Sequence, residues 1–384
     1  MHERRVIKGL LLLLLVVFMA VSLFDRALVS WKYLFGTQSR DWTSYSWDFD
    51  SNDRSIELDW DEYGSSISKL EESKFVTLNS GEMSDVNLVM KDRRHKIARI
   101  CDEDLKAIGV GMSINAKFMI YDKSHKLAYC AIPKVASSSW THNFLIMGGL
   151  SPLKFSHRAA PKRLPFPLDM SPVTFAQDVT SMLIVRHPFS RLASAYYDKL
   201  IRLGRKSWQM VRLFIIWKFR LQPPKRHFES WMADQLMQEH ERAVRNGSIA
   251  NFGSNDPTNA TPEEFAQYIL FMKSRPMDIH FRPQHKICPI CAYNFTAYCH
   301  LEHLHRDTSY FLQKANVSQL LQTRIHLNSR AFSSQSSKRQ SEADFWSQIK
   351  PKTQEELYKL YYYDFQLFGY SLSDYMTDIG LKSS

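Results

Sequence analysis

Two short runs in this chain of 384 residues bring together the residue types that hold anions. The first is Pro133-Lys134-Val135-Ala136-Ser137-Ser138-Ser139-Trp140, directly behind the apolar residues 126–132 (KLAYCAI). A strand that turns tightly into a helix leaves backbone N–H groups unpaired at the positive end of the helix dipole. Lys134 adds a mobile ammonium there, and the three serines add hydroxyl donors. The second run is Arg186-His187-Pro188-Phe189-Ser190-Arg191-Leu192-Ala193-Ser194-Ala195-Tyr196, behind the apolar residues 181–185 (SMLIV). Pro188 suits the first position of a helix. Arg186 can grip a phosphate through two parallel donors, and Ser194, two helical turns on, can lean toward the same anion. Arg191 can join that clamp or form an ion pair instead. The first run is not a Walker A loop, since G-x-x-x-x-G-K-[ST] is absent, and this argues against a nucleotide kinase. Taken alone, it also fits an ordinary serine cap beside an exposed lysine.

The elements that must position these loops are legible around them. Residues 117–121 (KFMIY), 126–132 and 181–185 read as strands, short and rich in apolar and β-branched residues. Residues 138–147 read as a helix closed by Gly148-Gly149, and residues 189–200 as another. Strand, turn and helix, occurring twice, predict an α/β fold with a central parallel sheet. Residues 263–273 and 354–367 add amphipathic helices.

Upstream, residues 9–24 form an uninterrupted apolar run of GLLLLLLVVFMAVSLF behind Arg4, Arg5 and Lys8. With Ala27, Leu28 and Val29 it predicts a signal-anchor over residues 9–29, residues 1–8 staying cytoplasmic and the rest lumenal. A signal peptide cut near Ala20-Val21-Ser22 is the alternative, and either sends the body of the chain into the secretory pathway. Residues 30–99 read as a stem, since residues 41–75 carry ten acidic and three basic side chains and no sustained apolar periodicity. The folded domain is expected over residues 100–384. Aromatic residues at 13% supply a core for it, and the net charge of +11 favours an anionic ligand. Residues 199–226 hold nine of the basic side chains and no acidic one, interleaved with Trp208, Phe214, Trp217 and Phe219. They fit either a solvated basic helix face or a docking surface for an acidic polymer. Five cysteines in an oxidising lumen allow four to pair and leave one over. N-x-S/T sequons occur at Asn246, Asn259, Asn294 and Asn316.

Together the two loops resemble the donor-binding signatures of Golgi carbohydrate sulfotransferases, the family of chondroitin and dermatan 4-O-, N-acetylgalactosamine-4-O- and HNK-1 sulfotransferases. That family shows P-K-V-[AG]-x-[ST]-x-W and R-[DEH]-P-[FL]-x-R-L-x-S-A-[FY], matched here by residues 133–140 and 186–196. The resemblance runs on through His280-Phe281-Arg282-Pro283, Cys288-Pro289-Ile290-Cys291, Leu301-Glu302 and Asp364-Phe365, and so covers roughly residues 100 to 371. It implies a P-loop-like sulfotransferase fold, the donor PAPS (3′-phosphoadenosine-5′-phosphosulfate), no metal, no nucleic acid partner and a glycan acceptor in the Golgi lumen. Residues 133–139 would hold the 5′-phosphosulfate, with Lys134 on the bridging oxygen, and residues 186–194 the 3′-phosphate, with Arg186 and Ser194 in contact. A base must take the acceptor proton, and histidine titrates in the right range. His157, between the loops, and His280 are the candidates, and Glu302 stays open. The acceptor implied is the 4-hydroxyl of N-acetylgalactosamine in a chondroitin- or dermatan-type chain. The family places a buried strand at Asn294, leaving Asn246, Asn259 and Asn316 as the glycosylation candidates. Thr141 and His142 stand where the family often has a basic residue. A zinc site at Cys288, Cys291, Cys299 and nearby histidines is a competing reading. A lectin-like module without catalysis is another, but it would leave two anion loops behind strands without a purpose.

Overall fold

The strands around the two loops do not alternate. Leu127–Cys130 is buried along its length and Thr180–Val185 nearly so, as befits strands covered on both faces. The computed structural model describes residues 73–74, 77–105, 117–151, 159–202, 206–221, 259–321, 323–324 and 335–381, all within the unit Trp47–Ser384. The expected anchor over residues 9–29, most of the stem, His157 and Asn246 lie outside these residues. Among the described residues no helix is long and apolar enough to cross a membrane.

The strands are β1 (Ser73–Lys74), β2 (Met119–Asp122), β3 (Leu127–Cys130), β4 (Thr180–Val185), β5 (Ala297–His300) and β6 (Thr323–Arg324). The helices are α1 (Ser80–Ile100), α2 (Ser137–Met147), α3 (Pro172–Asp178), α4 (Pro188–Tyr196), α5 (Lys206–Ile215), α6 (Pro262–Phe271), α7 (Leu304–Lys314), α8 (Gln335–Ser347), α9 (Pro351–Phe368) and α10 (Leu372–Asp378). The main sheet has the order β2-β3-β4-β5, while β1 and β6 form a separate antiparallel pair. Strands β3, β4 and β5 run parallel, but β2 is antiparallel to β3, so the sheet is mixed rather than wholly parallel. Residues 123–126 alone link β2 to β3, which is too short for a crossover and long enough for a hairpin. Lys126 closes that hairpin in the left-handed region at φ 53°.

The boundary expected near residue 100 falls inside the folded unit. Helix α1 begins with a capping box: Asn79 accepts from the Glu82 N–H, and Glu82 accepts from the Asn79 N–H. It buries Val86, Met90, Ile97 and Ile100 in the same core as the sheet. Each such side chain contributes about 1.5–3 kcal/mol on burial, more than a loosely attached stem would forgo. Arg93 takes the remaining turn of that stripe and reaches Asp307 at 2.6 Å.

Four cysteines pair and one remains, as expected. Cys101 joins Cys291, Cys130 joins Cys288, and Cys299 is a buried thiol in β5. The pairing consumes both sulfurs of the Cys288-x-x-Cys291 knuckle, which removes the zinc reading. The apolar side chains form two clusters. One surrounds the sheet with α1, α2 and α7. The other gathers α4, α6, α8, α9 and α10 around Phe189, which stacks on Trp346 at 4.0 Å.

Candidate active site

Because β3 and β4 are adjacent and parallel, the segments that follow them leave the same edge of the sheet. In α/β sheets that edge is where ligands bind. The first loop bends there through two non-glycine residues in the left-handed region, Lys134 at φ 72° and Ala136 at φ 66°. Such a conformation costs about 1 kcal/mol or more per residue and persists where its surroundings impose it. Val135, between them, is buried in the sheet cluster and anchors the turn. Ala136 caps α2 without a side-chain hydrogen bond, and Ser137 and Ser138 lie half-buried at the start of that helix. Ser139 is buried, as are Thr141 and His142 farther along α2.

The second loop opens α4, with Pro188 in its first turn. His187, Pro188, Phe189, Leu192 and Ala193 are buried, as are Arg186 and Ser190, and they seat the start of the helix in the fold. His187 stacks on Tyr375 at 4.0 Å, and burial pushes its imidazole down to about 3, which keeps it neutral. The His187 N–H donates to Glu302 at 3.0 Å, and the Tyr370 hydroxyl donates to the other Glu302 oxygen at 2.8 Å. Glu302 therefore holds the loop together and is not placed as a base. Ser194 is half-buried on the second turn of α4.

Arg186 is more engaged than the sequence led us to expect. Its Nε donates to Ser190 at 2.9 Å, one Nη to the Lys134 carbonyl at 3.3 Å and the other to Glu342 at 3.1 Å. The Ser190 hydroxyl donates to the same Glu342 oxygen at 2.8 Å. Arg186 thus bridges the two loops, and Glu342 of α8 shares the guanidinium. Among the described residues Arg191 forms no ion pair. Its guanidinium, 2% exposed as a residue, donates to three backbone carbonyls, those of Pro133, Ile279 and Arg282.

Those carbonyls bring the segment containing His280 beside the first loop. His280 is 23% exposed, and its Nδ1 lies 2.7 Å from an Asp278 oxygen. A carboxylate can only accept, so Nδ1 carries the hydrogen and Nε2 keeps its lone pair. Burial lowers the imidazole below its ordinary range, with Asp278 opposing and the positive charges of Lys199 and Lys134 adding to the fall. The segment is wired to the second loop as well. Gln284 accepts from the Arg186 N–H at 3.1 Å and donates to the Arg186 carbonyl at 2.9 Å. Asp364 of α9 in turn accepts from the Gln284 and His285 N–H groups.

Lys134 points at Asp198, with 2.9 Å between Nζ and Oδ2. Burial pulls its ammonium down to about 8, Asp198 opposing, Lys199 and Arg186 adding to the fall. It stays mostly protonated at neutral pH. Sequence reasoning had assigned no role to Asp198, Asp278, Gln284 or Glu342. The D-x-H spacing of Asp278 and His280 was the one local signal, the other partners being distant in sequence.

Three basic residues of the stretch after Lys199 are engaged within the fold. Arg212 is buried and donates to Asn259, Arg220 pairs with Glu264, and Lys218 lies over Phe271. Residues 203–205 and 222–226 of the stretch lie outside the described ones. Asn259 corrects the glycosylation reading: it is wholly buried, holding Arg212 through its side chain and Arg220 through its carbonyl, so no glycan fits there in the folded chain. Asn316 is exposed, and so is Asn294, which stands in the loop before β5 rather than in a buried strand.

Among the described residues, no group of three or more His, Cys, Asp or Glu side chains is arranged to hold a metal ion. Comparison with known proteins gives a consistent result. The profile of the sulfotransferase family matches residues 117–371. Carbohydrate sulfotransferase 11 of Mus musculus is 23% identical over 310 residues, covering 77% of this chain and 80% of that protein. Carbohydrate sulfotransferase 9 of Homo sapiens is 27% identical over 266 residues, covering 67% of this chain and 53% of that protein. Carbohydrate sulfotransferase 8 of Homo sapiens is 25% identical over 256 residues, covering 64% of this chain and 54% of that protein. No solved structure matches significantly. With the profile spanning both anion loops, the His280 segment and α9, the chain belongs to the sulfotransferase family and is an enzyme of the carbohydrate sulfotransferase group.

Proposed function

We propose that this carbohydrate sulfotransferase takes its sulfuryl group from PAPS and places it on the 4-hydroxyl of N-acetylgalactosamine in a chondroitin- or dermatan-type chain. The observation that carries the donor reading is the bridge from Arg186 to the Lys134 carbonyl, which sets two anion-binding turns side by side at one sheet edge. PAPS presents a 5′-phosphosulfate and a 3′-phosphate, one for each turn. The α2 N–H groups, Ser137 and Ser138 would hold the first, and Arg186 with Ser194 the second. The 3′-phosphate would have to share Arg186 with Glu342 or displace it.

Sulfuryl transfer forms a bond from the acceptor oxygen to sulfur and breaks the bond from sulfur to the bridging oxygen of the phosphate. Positioning and charge stabilisation supply most of the acceleration in such displacements. Lys134 would meet the charge that grows on the bridging oxygen. His280 would accept the hydroxyl proton at Nε2, with Asp278 holding the ring. His157 lies outside the described residues, and the orientation of His280 makes it our choice. We extend the same proposal to the cell: a Golgi membrane protein, anchored by residues 9–29 with its enzyme domain lumenal. The apolar run, its basic flank and the two disulfides support that address.

The test is transfer from radiolabelled PAPS by the full chain in detergent, offered a panel of desulfated glycans beside Lys134→Ala and Arg186→Ala. Label on one glycan, lost in both variants, is expected. A folded protein that captures acidic glycans but neither binds nor uses PAPS would overturn the proposal.

A further inference from the structure

One carboxylate oxygen serves two lysines. Asp198 lies on the wide turn Tyr197–Ile201 that prolongs α4, and its Oδ2 is 2.9 Å from Lys134 Nζ and 3.2 Å from Lys199 Nζ. Its other oxygen is 4.0 Å from Arg202. The side chains of Lys134, Asp198 and Lys199 are 18%, 29% and 20% exposed, so none of the three is freely solvated. Lys199 is further held over the Trp208 ring, 5.4 Å from its centroid. The other charged groups that bear on Lys134 are Arg186, from the end of β4, and His280 with Asp278 behind it.

A lysine that must meet charge growing on a leaving group has to let go of its resting partner. If Asp198 had only Lys134, that departure would strand a carboxylate in a poorly solvated site, and the pair would resist opening. A second ammonium on the same oxygen removes the obstacle. We propose that Asp198 and Lys199 form a release pair for Lys134: Asp198 keeps Lys134 beside the donor site, and Lys199 keeps Asp198 neutralised when Lys134 turns to the sulfuryl donor. No proton or covalent bond changes hands, since only ion-pair partners are exchanged. The inference rests on the reading of Lys134 as the lysine that meets the donor. Lys199 and Asp198 are positioning residues in this scheme, and they act through Lys134. Two features of the charges agree. Burial would raise the Asp198 carboxyl, but Lys134 and Lys199 outweigh it and hold it at about 2, so it remains an anion throughout the working range. Lys199 acts on Lys134 in the opposite sense to Asp198.

Those opposite senses define the experiment, made on the full chain in detergent. Lys199→Met should lower kcat about tenfold with little change in donor KM, and it should move the alkaline limb of the kcat profile up by about one pH unit. Asp198→Asn should move that limb down. The double variant should bring the limb back toward the wild-type position, because the two effects are coupled through one lysine. The rate of competitive acetylation of Lys134 against pH, read by mass spectrometry, reports the same ionisation without turnover. Limbs that shift in opposite directions in both measurements support the release pair. A Lys199→Met enzyme with wild-type kcat, or limbs that stay put while only thermal stability falls, overturns it. If the acetylation limbs shift as stated but wild type transfers nothing from PAPS, the donor reading of Lys134 fails, and the release role fails with it.

Discussion

Arg191 donates its Nε hydrogen to the Pro133 carbonyl across 2.9 Å, and Pro133 is the residue immediately before Lys134. The same guanidinium reaches Ile279 and Arg282, both at 2.8 Å, on either side of His280 and Phe281. A single buried cation thus sets the distance between the lysine loop and the histidine. Burial lowers its ionisation to about 10, so it stays charged at any working pH.

Arg191→Lys is expected to keep the charge and lose the geometry, because one ammonium cannot span three carbonyls. We expect a loss of about 2–4 kcal/mol in stability, the scale of two charge-assisted hydrogen bonds broken in the interior. Denaturant titration measures that loss. In the fraction that remains folded, kcat should fall at least about tenfold while binding of adenosine 3′,5′-bisphosphate changes little.

The His280–Asp278 pair predicts a pH profile. As the proposed base His280 must be neutral to accept a proton, and it is shifted below an ordinary imidazole, chiefly by burial. Activity should therefore persist as pH falls through the usual histidine range and be lost only below it. Asp278→Asn removes a charge that favours the imidazolium, so the acid limb should move to lower pH while kcat drops. His280→Ala should cost about 10²–10⁴ in kcat with donor affinity retained. Steady-state profiles in both substrates check this pair of expectations.

Glu342 holds the Arg186 guanidinium, which in the proposed donor site would also meet the 3′-phosphate. Glu342→Gln keeps the size of the side chain and removes its charge. The repulsion between carboxylate and bound 3′-phosphate then disappears, and donor KM should fall a few-fold, about 1 kcal/mol or less. The free protein should lose about 1–3 kcal/mol, since the buried guanidinium is left without its counter-ion. Calorimetry with and without adenosine 3′,5′-bisphosphate separates the two effects.

When the chain is expressed through a secretory pathway, Asn259 should carry no glycan, because its side chain is committed to Arg212 inside the domain. Peptide mass spectrometry reads site occupancy directly. Asn259→Gln, made to remove a presumed glycan, should instead lower the midpoint of thermal unfolding, since the longer amide cannot reproduce the 2.8 Å bond in place.

The two loops were legible because each lies within a few residues of its strand and its helix. Pro188, Lys134 and the serines announce a turn and a helix start by local rules alone. Helix α1 was missed for an equally local reason. Arg93 occupies a turn of its buried stripe, so the apolar spacing breaks at the point where Asp307 supplies the missing partner. The β2–β3 hairpin was available in the four residues between those strands, too few for a parallel connection. The partners that tune the site were not available at all. Glu342 reaches Arg186 across 156 residues, and Asp364 reaches Gln284 across 80. Such pairings are products of the tertiary fold, and no window on the sequence spans them.

The two disulfides bear on how the chain is made. They join residues 190 and 158 positions apart, and both end in the Cys288–Cys291 knuckle. If the chain is synthesised into the oxidising lumen proposed above, Cys101 and Cys130 arrive there long before their partners Cys291 and Cys288. Any early bridge between them must be undone once the knuckle arrives, through thiolate attack on the existing disulfide. Maturation of this enzyme in that lumen would then call on disulfide exchange after synthesis as well as on oxidation. Cells short of isomerase activity should accumulate it in a misbridged form, with Lys134 and His280 never brought together.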